Sequence, residues 1–228
     1  MRKKLRFYKQ HSIETCGPAC MLMLLDLYRK IEYPTVKQEM KLYSLYRSKA
    51  FKGMNGAAIA NCLSKNRLNI HLVQSSPQMM DNRGGYFEKE LYAALLAEYR
   101  AAAEKCIGNI RLSTGAEITC DTLRQELDAG RQIILQTIVP GDADGIHDHV
   151  LHWVVVYGYE GDLFHVCDPL SSKIKLTTME LEGYMDTPIG KIYITDHYFK
   201  YLSSIFRKNA RKKPSASHFC DTEDFLLN

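Results

Sequence analysis

Gln10, Cys16, His152 and Asp168 are, in that chain order, the residue types that acyl transfer through a thiol requires. A thiol attacks a carbonyl only as thiolate, and its ordinary pKa of about 8.5 leaves a few per cent ionised at neutral pH. Two things raise that fraction: a helix N-terminus, whose dipole favours an anion, and a nearby imidazole that takes the proton. In "KQHSIETCGPAC", Lys9 to Cys20, the Cys16 thiol stands where a long apolar run begins, and so at a helix start. Gly17 and Ala19 beside it are small enough to let a substrate carbonyl approach. Gln10, six residues ahead, would offer a side-chain N–H to an acyl oxyanion, next to the backbone N–H of Cys16.

Three histidines in "HDHVLHWVVVYG" compete for the role of base. His152 opens an apolar strand run that would fix its backbone, whereas His147 and His149 lie in an Asp- and Gly-rich loop. His152 is therefore the expected base, and the other two are read as loop residues or substrate contacts. "HDH" has no well-placed third ligand, so no metal or cofactor is expected. A third group must orient the imidazole and stabilise its charged form. Counting back from a hairpin turn at Gly161 brings positions near 152 opposite 168–170, which puts Asp168 within reach. The plain alternative for Cys16 is a packed helix-end thiol. The company of Gln10, His152 and Asp168 in register decides against it.

The elements follow from periodicity and caps. Cys16 to about Lys30 is apolar nearly all round, which predicts a helix buried on most sides. Thr35 and Gln38 form a capping-box pair, predicting a helix to about Ser48 whose apolar face is Val36, Met40, Tyr43 and Tyr46. A short helix over Ala57 to Lys65, a strand at "IHLVQ" and a long helix with apolar Leu91, Ala94, Leu95, Tyr99 and Ala102 come next. Thr122 to Gln125 reads as another capping box, with Gly130 closing that helix. Then the grammar changes: "QIILQTIV" is a strand, "PGDADGIHDH" a loop, "VLHWVVVYGYEGDLFHVCDPL" a hairpin. A capped helix starts near Thr178, and "GKIYITD" is a last strand. Helices first and an antiparallel sheet second is the α+β pattern.

Two further residues of the hairpin read as core. Trp153 alternates away from His152, and Cys167 away from Asp168. Cys20, one turn beyond Cys16, is likewise expected to be packed.

"Q-x5-CGPAC", "HWVVVYG" and then "CDPL" sixteen residues after the His resemble the bacteriocin-processing (double-glycine leader) cysteine peptidases, in their stand-alone branch without a transporter. The resemblance spans roughly Phe7 to Thr195. It implies a papain-like fold with a central N-terminal helix packed on the C-terminal sheet. It also implies Cys16 as nucleophile, His152 as base, Asp168 as orienter and Gln10 in the oxyanion hole. The segment 75–108 exceeds the minimal peptidase and is expected to be an insertion, a wall or cap over the cleft.

At 228 residues one domain is the default, set here at 1–199 with a basic then acidic tail at 200–228. A net charge of +4 without a reading motif argues against nucleic acid. "ACMLMLLDLY" is too short to span a bilayer and is broken by Asp26, so no integral membrane segment is expected. No apolar h-region follows "MRKKLRFYKQ", so the expected location is cytoplasmic, with signal-independent secretion left open. Seven cysteines, odd in number and irregular in spacing, fit neither a disulfide framework nor a zinc site. The expected partner is a peptide or protein substrate, and the oligomeric state is not readable. The residues leave open an acyltransferase or glutamine deamidase on the same triad, acting for instance on a host protein. A binding module that has lost catalysis is the third reading.

Overall fold

Every residue from Cys16 to Asp26 is buried, so the first helix, α1 (Cys16–Leu27), is the centre of the fold, as its all-round apolar sequence requires. The computed structural model describes residues 4–76, 82, 85–106, 109–140, 149–187 and 189–196. Asp26, the one charge in α1, is held by Arg6, whose Nε donates to Oδ2 at 2.8 Å while Nη2 donates to Oδ1. A carboxylate inside an apolar helix survives burial only with such a partner.

Helix α2 (Val36–Tyr46) has the expected capping box between Thr35 and Gln38. Its inward face differs from expectation. Glu39, Leu42 and Tyr43 are buried, whereas Val36 and Met40 are 45% and 40% exposed. The face is rotated because hydrogen-bond donors from the preceding segment seek Glu39, and that carboxylate turns inward to meet them.

Helix α3 (Gly56–Lys65) starts from an Asn55 cap, strand β1 (Ile70–Gln74) follows, and α4 (Lys89–Glu104) lies against α3. Leu95 and Tyr99 of α4 are buried but Ala94 is exposed. Tyr99 donates to Gln74 Oε1 at 3.1 Å, and Asn61 Nδ2 to the Ala102 carbonyl at 2.8 Å. Strand β2 (Ile110–Thr114) leads to α5 (Cys120–Asp128). Here the capping box joins Thr119 and Thr122, so the helix begins earlier than a Thr122 cap predicts. Gly130 ends it at φ 80, as expected.

Strands β3 (Ile133–Pro140), β4 (His149–Glu160), β5 (Leu163–Cys167), β6 (Lys173–Thr177) and β7 (Ile192–Asp196) follow, with α6 (Thr178–Met185) before β7. His149 thus belongs to a strand in its backbone, not to a loop, whereas His147 and the tail 200–228 lie outside the described residues. Among the described residues the seven strands form one sheet in the order β2-β1-β7-β3-β4-β5-β6, antiparallel except for the parallel β1–β2 pair.

Side chains of β3 and β4 alternate between two cores. Ile134, Trp153 and Val155 face the core of α1, α3 and α4. Ile133, Leu135, Val154 and Val156 face that of α5 and α6. Burial on both faces is why these strands read as unbroken apolar runs. No helix among the described residues is long and apolar enough to cross a membrane.

Candidate active site

The N-terminus of α1 carries Cys16 and has no side-chain cap. The hydroxyl of its N-cap residue, Thr15, turns back to donate to the Ser12 carbonyl at 2.7 Å and to accept the Ser12 N–H at 3.1 Å. The first-turn N–H groups are therefore left for another acceptor, and Pro18 contributes none. Behind Gly17, a Cβ would lie 3.4 Å from both Ile59 and Met54, so a small residue lets α1 pack closely there. Met54 is fixed in turn, because Trp153 Nε1 donates to its carbonyl at 3.0 Å.

The β4–β5 hairpin supplies the next two groups. Its loop is Gly161-Asp162, with Gly161 at φ 58, a value that favours glycine. An irregularity between Val156 and Gly158 shifts the register by one residue, and pairing ends at Val155 opposite Cys167. Asp168 comes next, and its side chain reaches across to His152: Nε2 lies 2.7 Å from Oδ1. The ring nitrogen left for Cys16 is then Nδ1. "DPLS" is a turn sequence, with Asp first and Pro second. In it the Leu170 N–H donates to Asp168 Oδ1 and the Ser171 hydroxyl to Oδ2, each at 2.8 Å. The turn thus aims and locks the carboxylate before His152 meets it.

Electrostatics follow this geometry. Burial disfavours the charged His152 ring, but the bond to Asp168 and the proximity of Cys16 more than offset it, and its pKa is pushed up to about 9. Burial pushes the Asp168 carboxyl up, but His152, Ser171 and the Leu170 N–H outweigh that and hold it below its ordinary value. His152 is 4% exposed and Cys16 7%.

Gln10 is also buried. Its backbone N–H donates to the Pro169 carbonyl at 2.9 Å, which ties it to the turn of Asp168. Its side-chain Nε2 donates one hydrogen to the Ser12 carbonyl at 2.8 Å, leaving the second free to point elsewhere, while Oε1 is buried without a partner. All four residues singled out in the sequence therefore share one neighbourhood: Cys16 against His152, His152 on Asp168, and Gln10 on the residue after Asp168.

Cys20 is fully buried and donates to the Trp153 carbonyl at 3.2 Å; burial, with Cys16, Asp168 and Cys167 nearby, raises its pKa well above the ordinary value. Cys167 is packed in the same core, its pKa pushed up to about 11 by burial. Sequence reasoning missed Ser171 and Glu39. The signal for Glu39 was one charge among Leu42, Tyr43 and Tyr46 at i, i+3, i+4 and i+7 spacing.

A model of the Peptidase_C39 like family matches residues 5–211. None of the curated proteins matches. Among solved structures the chain is similar to a putative C39-like peptidase from Bacillus anthracis, with 13% identity, 86% of this chain and 95% of that chain covered, and a TM-score of 0.50. It also matches a double glycine motif protease from an AMS/PCAT transporter in complex with the leader peptide, at 15% identity, 86% and 94% coverage and a TM-score of 0.48. For the peptidase domain of Streptococcus ComA, a bi-functional ABC transporter, the figures are 11%, 86% and 100%, and 0.46. At 13% identity the likeness to the Bacillus anthracis structure is one of fold, the α+β papain-like arrangement of a buried N-terminal helix on a sheet. With the family model spanning most of its length, the chain belongs to the Peptidase_C39 like family.

Proposed function

We propose that this protein is a cysteine peptidase that cleaves a peptide or protein substrate through a thioester on Cys16. The observation that carries this reading is the 2.7 Å pair of His152 and Asp168 set against Cys16 at an uncapped helix N-terminus. Cys16, its proton passed to His152, adds to the amide carbonyl carbon. The carbonyl oxygen takes the electron pair and is met by the backbone N–H of Cys16 and the free amide hydrogen of Gln10. As the oxyanion collapses, the C–N bond breaks and the His152 imidazolium protonates the departing amine. Water then adds to the thioester, giving its proton to His152, and the acid leaves as the thiol re-forms. Asp168 fixes the ring and stabilises its charged form throughout.

The test is the rate of iodoacetamide alkylation at each cysteine against pH, read by mass spectrometry in the native and the urea-denatured chain. Cys16 is expected to react first below pH 7, and to lose that advantage in His152→Ala. Cys62 and Cys120, pushed up to about 12, and buried Cys20 and Cys167 are expected to stay unmodified. Native alkylation of Cys16 no faster than in the denatured chain would overturn the reading.

A further inference from the structure

Glu39 has no exposed surface, and the chemistry above makes no use of it. Both of its oxygens are taken by the segment that carries Gln10. Oε2 accepts the Tyr8 hydroxyl at 2.6 Å and Oε1 accepts the His11 N–H at 2.7 Å, so the two bonded residues bracket Gln10. Helix α2 grips the same segment a second time, where the Tyr43 hydroxyl donates to Glu14, two residues before Cys16. On its other side the segment is tied to Pro169 through the Gln10 N–H.

A buried carboxylate is tolerated only when charge-assisted bonds replace its lost hydration. A leucine at position 39 would extend the apolar face of Leu42 and avoid that penalty. The carboxylate is instead directed at two donors of one backbone segment. Burial and the Glu39 carboxylate raise the Tyr8 pKa, which keeps the hydroxyl a donor.

We infer that Glu39 is a positioning residue for acyl transfer: it holds residues 8–11 so that the Gln10 amide stays where the oxyanion forms. This rests on the peptidase reading of Cys16 and Gln10.

Two reactions at the same sulfur separate positioning from general damage. With p-nitrophenyl acetate, the thiolate adds to the carbonyl, forms an oxyanion, expels p-nitrophenolate and is left acetylated. With iodoacetamide, the sulfur displaces iodide and no oxyanion forms. Glu39→Ala is expected to slow acetylation about tenfold or more, a share of the roughly 100- to 1,000-fold effect of losing an oxyanion donor, with alkylation within about twofold of wild type. Glu39→Gln is expected to recover most of the rate, since its carbonyl can accept from His11 and its amide can donate to the Tyr8 oxygen. Gln10→Ala combined with Glu39→Ala is expected to lose little more than Gln10→Ala alone.

Unchanged acetylation in Glu39→Ala, an equal fall in both reactions, or full additivity with Gln10→Ala would each overturn the inference. Should Glu39→Ala fail to fold, Tyr8→Phe removes one of the two bonds and is held to the same criteria with a smaller loss. A wild-type Cys16 that alkylates no faster than the denatured chain removes the peptidase reading and this inference with it. That result comes from the wild type alone, before any variant is compared.

Discussion

The backbone N–H of Gln10 donates to the carbonyl of Pro169 at 2.9 Å, which makes the segment before Cys16 and the turn after β5 one mechanical unit. The proposed oxyanion donor, Gln10, and the proposed orienting carboxylate, Asp168, are thereby registered to each other. Pro169→Gly loosens that turn and adds freedom to the unfolded chain, so stability is expected to fall by about 1 kcal/mol. Acetylation of Cys16 by p-nitrophenyl acetate is expected to fall severalfold beyond what lost folding explains. Urea titration and the acetylation rate, measured on one preparation, check both parts.

His152 makes stability depend on pH with a definite sign. Its folded pKa of about 9 lies above the ordinary 6.5, so its contribution is complete below about pH 6.5 and disappears as pH rises through 9. The urea midpoint is expected to drop between these values, and to drop less in His152→Ala. In the proposed reaction the thioester-forming step would lose its acid over the same range, so any peptide cleavage is expected to decline as pH passes about 9.

Asp168 acts at the other end of the scale. Its carboxyl is held below the ordinary value, so its contribution is present above about pH 4 and is lost as pH falls through the folded pKa. Ser171→Ala removes the hydroxyl on Oδ2 and is expected to cost about 1 kcal/mol at neutral pH. Acid unfolding followed by circular dichroism should then begin at higher pH than in the wild type.

Trp153→Phe keeps a large ring in the core but takes the N–H away from the Met54 carbonyl. A buried carbonyl left without its donor is expected to cost roughly 1–3 kcal/mol. Met54 lies against Gly17, so the loss falls beside Cys16. Thermal unfolding of the variant gives the first number, and Cys16 alkylation shows whether the helix start has loosened with it.

The parts of the fold legible in sequence were those with one dominant signal. Helix α1 is apolar on all sides, β3 and β4 are buried on both faces, and the Gly161 turn sets the hairpin, so His152 and Asp168 could be paired by counting. Edge strands carry no such signal. "IRLST" of β2 is mostly exposed, and "KIKLT" of β6 places lysines in an edge strand, as edges that resist further pairing do. Two threonines three apart at 119 and 122 compete with a second pair at 122 and 125, and only burial of Cys120 and Leu123 selects the first. The inward face of α2 was misread because a buried carboxylate looks like a surface residue until its donors, far away in sequence, are known.

Burial of α1 from Cys16 to Asp26 decides how the surroundings of Cys16 come apart on unfolding. An element enclosed by the rest of the molecule has no cheap partial opening, so the hydrogen-bonded amides beyond its first turn are expected to exchange with deuterium only when the whole fold opens. Heat or denaturant should therefore abolish any advantage of Cys16 over the other thiols in the same transition that releases the slowest-exchanging amides, with no earlier loss at Cys16 alone.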